Sequence, residues 1–181
     1  RTDSTALIVY PTENFVGDIE IRIVASDTTG ETVADTLKLT IANINDPPVI
    51  VIPIGDMTVD EDNEPFLLGS LDFYDIDSDL TYSYTNDNAN LLSVNIEENN
   101  NIMLSLSADS NGVANLTFTA DDGEYTVTDS VVVTVNPVND APGIVLPDTF
   151  EFSEDGLLTV NFTPYFNDID SDTSLVLTAA G

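Results

Sequence analysis

The chain lacks cysteine, histidine and tryptophan, and only three of its 181 residues are basic. Without cysteine no disulfide can form, and without cysteine and histidine the usual zinc and haem ligands are missing. The commonest general base and the thiol nucleophile are missing too, so we expect no enzyme. The missing cysteine fits either a cytosolic protein or a bacterial surface protein that avoids thiols.

Basic charge is scarce while acidic charge is abundant: 33 acids give a net charge of -30. A nucleic acid partner is not expected, because phosphate contacts need lysine and arginine. An anionic membrane would repel the chain, and no apolar run approaches the length that inserts into a bilayer. Aspartate supplies 23 of the acids. Its short side chain suits turns and the coordination of hard cations.

A six-residue phrase occurs twice, as NINDPP over residues 43–48 and as PVNDAP over residues 137–142. From Asp46 to Asp140 is 94 residues, which is the length of one small domain and indicates tandem repeats. The pairs Glu61-Asp62 and Glu154-Asp155 and the phrase DIDSD at 75–79 and 168–172 recur at nearly the same offset. We therefore predict the back half of one repeat in 1–48, a complete repeat in 49–142 and the front part of a third in 143–181.

Apolar residues alternate with polar ones, as they do in half-buried strands. The clearest runs are Ala114, Leu116, Phe118, Ala120 and Val127, Asp129, Val131, Val133, Val135. No window has a convincing helical period. The central repeat is predicted to hold seven strands, at 49–59, 64–73, 80–85, 91–96, 102–107, 113–120 and 125–135. Seven short strands in one small domain predict an all-β, Greek-key sandwich of immunoglobulin or cadherin type.

Strand direction predicts where the acids meet. If the first strand leaves the linker and the second returns, Glu61 lies at the far end and Asp75 and Asp77 lie back at the start. We expect one acidic group at the entry linker, formed by Asn45, Asp46, Asp75, Asp77 and Asp122. We expect a second at the exit linker, formed by Glu61, Asn139, Asp140, Asp168 and Asp170. The turn that carries Asp109 faces the exit end as well.

Such groups cannot be stable alone, because two carboxylates about 4 Å apart repel by roughly 4 kcal/mol at an effective dielectric of 20. A divalent cation reverses the sign of this interaction. Ligands that are all carboxylate, amide and backbone oxygen indicate a hard cation, and six to eight flexible oxygens favour Ca²⁺ over Mg²⁺. The sequence therefore predicts calcium as the cofactor.

These motifs resemble the cadherin repeat, in particular the cadherin-like repeats of large bacterial surface and secreted proteins. The phrase NINDPP is similar to the family's DxNDNxP linker, the DID of 75–77 to its DxD, and the ADDG of 120–123 to its AxDxG. Glu61 matches the glutamate that closes the first strand. The resemblance implies calcium between successive repeats, stiffening an extracellular or cell-surface rod used in adhesion. It implies neighbouring repeats of the same polypeptide as partners, and a cell-surface protein or glycan as the target.

The chain departs from the family pattern in several places. The LDRE motif is absent, and Pro47 and Ala141 stand where the second linker asparagine belongs. These losses indicate fewer or more weakly bound calcium ions at each junction than in animal cadherins.

Other interpretations remain open from the residues alone. An EF-hand starting at Asp75 fails on spacing, since position six is Leu80 and position twelve is Asn86. A carbohydrate-binding or accessory module of a secreted enzyme would need exposed aromatic rings, and we expect Tyr82 and Tyr84 to serve packing instead. An intracellular acidic domain from a salt-loving organism would use its charge for hydration only.

Overall fold

The computed structural model describes residues 7–170 and 176–178 of the chain. These residues form strands joined by turns, with one short 3-10 helix at Thr163–Tyr165. No helix among them is long and apolar enough to cross a membrane. The strands are β1 Gly17–Ser26, β2 Thr32–Ile41, β3 Val49–Ile52, β4 Met57–Asp60, β5 Phe66–Ser70, β6 Asp72–Tyr74, β7 Thr81–Asn86, β8 Leu92–Ile96, β9 Asn101–Leu106, β10 Gly112–Asp121, β11 Thr126–Asn136, β12 Gly143–Ile144 and β13 Phe166–Asn167.

The central repeat is a β-sandwich, which confirms the predicted all-β, immunoglobulin-like and cadherin-like fold. One sheet has the strand order β4-β11-β10-β7 and the other has the order β5-β9-β8. Strands β3 and β6 pair with each other in a separate two-stranded sheet. All pairings in the three-stranded sheet are antiparallel, whereas β4 runs parallel to β11, with Val59 opposite Val135.

The core follows the predicted alternation along the strands. Along β10 every second residue from Ala114 to Ala120 is buried, and along β11 every second residue from Asp129 to Val135. The three-stranded sheet contributes Leu68, Leu92, Ile102 and Leu104. Phe118 is the largest fully buried side chain. Tyr84 packs against it with ring centroids 6.3 Å apart, as expected for a packing tyrosine.

The first two predicted strands are each divided in two. The prediction of one strand over 49–59 overlooked Pro53, which has no N–H to donate to a ladder. The Ile54 N–H donates instead to Oδ2 of the buried Asp129 at 2.7 Å, and Asp56 Oδ1 accepts the Val132 N–H at 2.8 Å. The chain thus changes its pairing from β6 to β11 across the break. The predicted strand 64–73 divides at Leu71, between β5, which pairs with β9, and β6, which pairs with β3.

The described residues outside the central repeat form smaller elements. Strands β1 and β2 make a long antiparallel hairpin, and β12 pairs with β13 over two residues. By contacts the chain divides into two compact units. One contains the residues up to Val49 with Phe73–Thr81 and Ala120–Val127, and the other contains Ile50–Asp72, Tyr82–Thr119 and the residues from Thr128 onward.

Candidate metal centre

We call the predicted entry residues Asn45, Asp46, Asp75, Asp77 and Asp122 the entry cluster. Hydrogen bonds connect these residues to the linker, Asp46 through its backbone N–H and the other four through their side chains. The backbone N–H of Asp46 donates to Asp77 Oδ2 at 2.8 Å, which ties the linker to the loop after β6. The loop is closed by Asp75, whose Oδ1 accepts the backbone N–H groups of Asp77 and Ser78 at 2.7 Å each. These bonds leave the second oxygen of each carboxylate available to a cation.

Asn45 joins the linker to the β10–β11 turn. Its Nδ2 donates to Asp122 Oδ2 at 2.9 Å, and its Oδ1 accepts the Ser78 hydroxyl at 3.2 Å. The other oxygen of Asp122 accepts the backbone N–H groups of Glu124 and Tyr125, both at 2.7 Å. These bonds, led by that from Tyr125, lower the pKa of Asp122 below its ordinary value and keep the side chain charged.

The exit linker repeats the bond that holds the entry linker. The backbone N–H of Asp140 donates to Asp170 Oδ2 at 2.6 Å, and the Asp170 N–H donates to Asp168 Oδ1 at 3.0 Å. The DID of 168–170 therefore folds onto its linker in the same way as the DID of 75–77. Ser171 and Asp172, which complete the second copy, lie outside the described residues.

Glu61 follows β4 and reaches the exit linker as predicted. Its Oε1 accepts the Val138 N–H at 2.7 Å, and its own N–H donates to the Asn136 carbonyl at 2.9 Å. The residue is only 4% exposed. A carboxylate is rarely buried to this extent without a compensating charge.

Two acids absent from the predicted ligand set, Asp62 and Asp109, complete the exit cluster. Carboxylate oxygens of Asp62, Asp109 and Asp140 lie within 4.8 Å of one another, a spacing that suits a shared metal ion. The Asp109 N–H also donates to Asp62 Oδ1 at 3.3 Å. We define the exit cluster as Glu61, Asp62, Asp109, Asp140, Asp168 and Asp170.

The carboxylates of the exit cluster repel one another, and this repulsion affects the pKa of Asp140. Its pKa is raised above the ordinary value, first by burial and then by repulsion from the charges of Asp62, Asp109, Asp170 and Glu61. Crowded carboxylates resist ionisation unless a cation compensates them. The local field thus favours either a proton or a positive ion at this position.

In the part of the chain that the structure describes, the unpaired buried oxygens all belong to predicted ligands. Among the described residues, three buried side-chain oxygen or nitrogen atoms have no hydrogen-bond partner: Glu61 Oε2, Asp75 Oδ2 and Asp140 Oδ2. Buried polar groups in folded proteins are otherwise almost always paired. Both clusters therefore present carboxylate oxygens that a hard cation would satisfy.

The side chain of Asn139, another predicted ligand, bonds within its own linker and not to another segment. Its Nδ2 donates to the carbonyl of the adjacent Asp140 at 2.9 Å, whereas its counterpart Asn45 reaches across to Asp122.

Asp62 and Asp109 were missed because both depend on a left-handed backbone, with φ of 64° and 51°. Aspartate and asparagine adopt this conformation more readily than other side chains. The corresponding positions in the neighbouring repeats could have revealed these two turns. Asp155 and Asn14, 93 residues after and 95 residues before them, also have positive φ, of 56° and 58°.

A family model described as "Bacterial Ig domain" matches residues 45–136. No curated protein sequence matches the chain. Among solved structures, the EC1-2 region of human protocadherin-24 is 18% identical, with 68% of this chain and 67% of that chain covered and a TM-score of 0.43. The titin domains z1z2 in complex with telethonin are 15% identical, with 68% of this chain and 62% of that chain covered and a TM-score of 0.45.

An endo-fucoidan hydrolase from glycoside hydrolase family 107 is 20% identical over 75% of this chain, with a TM-score of 0.39. The chain spans only 20% of the length of that hydrolase.

Proposed function

Because the chain belongs to the bacterial Ig domain family, we propose that it is an extracellular β-sandwich segment whose repeat junctions bind Ca²⁺. In this proposal residues 49–142 form one complete repeat, with 1–48 and 143–181 belonging to its neighbours. Calcium stiffens a rod-like bacterial surface protein that supports cell adhesion, and the chain itself performs no catalysis.

The observation that carries this proposal is the position of the unpaired buried oxygens. Glu61, Asp75 and Asp140 belong to the ligand sets expected from the repeated motifs, and each leaves one buried carboxylate oxygen without a partner. An unsatisfied buried polar group costs about 1–3 kcal/mol, and more when it is charged. A bound cation would turn this cost into an attraction in both clusters.

The donor set favours calcium over other metals. The entry cluster offers carboxylate and amide oxygens and the exit cluster offers carboxylate oxygens, and the chain has neither histidine nor cysteine to select a softer metal. The donors come from loops and turns, which suits the variable geometry of Ca²⁺ better than the strict octahedron of Mg²⁺. We expect the weak affinity of extracellular modules, with Kd of about 10⁻⁴–10⁻³ M.

Cation binding would fix the linker through side chains from several segments. In the exit cluster Glu61 and Asp62 follow β4, Asp109 lies in the β9–β10 turn and Asp140 lies in the linker. Asp168 and Asp170 follow β13. One ion held by these groups restrains the linker, whose prolines Pro137 and Pro142 already restrict φ. At free calcium tenfold above Kd, the gain in stability is about 1.4 kcal/mol.

Hydrogen exchange read by mass spectrometry tests this proposal. Amides of the linkers 43–48 and 137–142 should exchange several-fold more slowly in millimolar calcium than in chelator. Sodium chloride of matched ionic strength is the control, because an acidic domain that uses its charge only for hydration would respond to bulk salt. Equal exchange in calcium and in chelator would contradict the proposal.

The alternative function, a carbohydrate-binding accessory module, requires a row of exposed aromatic rings. Tyr84 is 42% exposed, but its ring packs on Phe118 and its hydroxyl donates to the Val94 carbonyl at 3.1 Å. This arrangement supports a packing role for Tyr84 and favours the calcium proposal.

A further inference from the structure

One asparagine of the chain is followed directly by glycine, at Asn111-Gly112, and no other is. The pair ends the turn between β9 and β10, which also carries Asp109 of the exit cluster. Gly112 is the first residue of β10 and has a φ of 141°, which residues with a side chain rarely adopt. The backbone therefore requires glycine at this position.

The side chain of Asn111 is exposed and unrestrained. Within the part of the chain that the structure describes, its carboxamide has no hydrogen-bond partner. The carboxamides of Asn63 and Asn115 are held, since their Nδ2 atoms donate to the Asp60 carbonyl at 2.8 Å and to Asp87 Oδ2 at 2.7 Å. A carboxamide without such a bond can rotate toward the backbone nitrogen of the next residue.

Asparagine followed by glycine is prone to an intramolecular reaction. The Gly112 backbone nitrogen attacks Asn111 Cγ, and it meets little steric hindrance because glycine has no side chain. A C–N bond forms, the side-chain amide leaves as ammonia with the proton of the attacking nitrogen, and a cyclic imide remains. Water then opens the ring. Opening at the side-chain carbonyl gives aspartate, and opening at the main-chain carbonyl gives isoaspartate, so that amide and water become carboxylate and ammonium.

We propose that Asn111 is a site of spontaneous deamidation and that its isoaspartate product weakens cation binding at the exit cluster. The attacking nitrogen belongs to the first residue of β10, and the ends of elements open at a lower free-energy cost than the core does. Asn111 and Asp109 are both exposed, so water reaches the ring. The effect on the cluster rests on the calcium proposal, whereas the modification does not.

The backbone of this turn sets the position of Asp109 in the exit cluster. Asp109 has a φ of 51°, and its N–H donates to Asp62 Oδ1 at 3.3 Å. Carboxylate oxygens of Asp62, Asp109 and Asp140 lie within 4.8 Å of one another. Isoaspartate at 111 carries the main chain through its side-chain carbon, which lengthens the turn by a methylene and displaces Asp109. A shared cation then loses one carboxylate ligand, whereas ordinary aspartate at 111 adds charge and leaves the turn unchanged.

Peptide mapping by mass spectrometry tests the modification after incubation in chelator at mildly alkaline pH, which helps to deprotonate the Gly112 nitrogen. Asn111 should deamidate many-fold faster than Asn90, an exposed asparagine that is followed by leucine. Asn111→Gln should remain unconverted over the same time, because its longer side chain forms the ring much more slowly. Deamidation of Asn111 no faster than that of Asn90 would overturn the proposal.

Calorimetric titration with calcium tests the effect on the exit cluster. The isoaspartate form, separated by chromatography, should bind on the order of tenfold more weakly than the fresh protein, because a ligand is displaced. Asn111→Asp and Asn111→Gln incubated in parallel should stay within about twofold of the fresh protein. A cooperative melt in chelator verifies that each sample is folded.

An isoaspartate form that binds calcium as tightly as the fresh protein would overturn the effect on the cluster. So would Asn111→Asp if it lost as much affinity as the isoaspartate form, because the added charge and not the longer turn would then be the cause. No heat from the fresh protein would contradict the calcium proposal and with it the effect on binding, while peptide mapping still decides the modification.

Discussion

Asp46 and Asp77, 31 residues apart in the chain, are joined by a 2.8 Å hydrogen bond from the backbone N–H of Asp46 to Oδ2 of Asp77. The same bond recurs one repeat later between Asp140 and Asp170, at 2.6 Å. In both places a linker amide orients a carboxylate of the DxD motif. This hydrogen bond fixes one oxygen of each carboxylate. It does not neutralise the negative charge, which a cation would balance.

Asp77→Asn should weaken calcium binding at the entry cluster and leave the fold intact. The asparagine carbonyl still accepts the Asp46 N–H, while one negative charge is lost. We expect on the order of tenfold weaker binding at this cluster by calorimetry, since ligand charge sets the affinity of such sites. Asp79→Asn, in the same loop but exposed, is the matched control and should change the affinity less than twofold. Equal affinities for the two variants would contradict the entry cluster.

Glu61→Gln should have opposite effects with and without calcium. In chelator the neutral amide keeps the bond to Val138 and removes a buried charge that repels Asp140, so the melting temperature should rise. In calcium the lost charge should weaken binding at the exit cluster by on the order of tenfold.

Glu64→Gln is the control for that experiment, because Glu64 is an exposed acid in the same loop. Glu64→Gln should change neither the stability in chelator nor the calcium affinity. A Glu61→Gln protein that is destabilised equally in calcium and in chelator would show that Glu61 serves only the fold.

The pH dependence of the exit cluster follows from the raised pKa of Asp140. A raised carboxyl pKa means that the folded cluster binds a proton more readily than the unfolded chain does. In chelator, lowering the pH through the window above the ordinary value of 3.8 should therefore stabilise the exit cluster. In calcium the proton competes with the metal, so the affinity should fall as the pH falls through the same window.

Asp122 has the opposite effect on the pH dependence of stability, and it acts at lower pH. Its pKa is lowered, so the stability that it provides is present above 3.8 and is lost as the pH falls through its lowered pKa.

Calcium titrations at several pH values test the role of Asp140. Asp140→Asn should remove the pH dependence of the calcium affinity above pH 3.8, while the exposed control Asp148→Asn should retain it. Retention of that dependence in Asp140→Asn would contradict the assignment.

Asp129→Ala should destabilise the central repeat independently of calcium. The substitution leaves the Ile54 N–H without its acceptor, at a cost of about 1–3 kcal/mol in thermal unfolding. Asp35→Ala removes the same charge at the corresponding position of β2, where the residue is exposed, and should stay within about 0.5 kcal/mol of the wild type. If calcium stabilised the wild type but not Asp129→Ala, Asp129 would belong to a metal site.

Strand alternation alone was enough to predict the sandwich and most of the entry cluster. The period-two runs of β10 and β11 specify which residues face the core, and strand direction places Asp77 and Asp122 beside the linker. Neither inference depends on side-chain detail. The same reasoning placed Glu61 correctly, because its position depends only on the direction of β4.

The sequence did not predict features that depend on local backbone conformation. In a regular strand Asp62 would face away from Glu61, and only its left-handed φ of 64° brings it beside Asp140. The break in the first strand depends on Pro53 and on Asp129, which replaces a ladder bond with a side-chain bond. Hydrophobic periodicity contains no information on either point.

Isothermal titration of the purified chain with calcium at pH 7 tests the central claim most directly. The account predicts saturable heat with Kd of about 10⁻⁴–10⁻³ M, weakened in Asp77→Asn and Glu61→Gln. No heat at millimolar calcium would contradict the account, because the unpaired carboxylate oxygens of Glu61, Asp75 and Asp140 would then have no role in binding this ion.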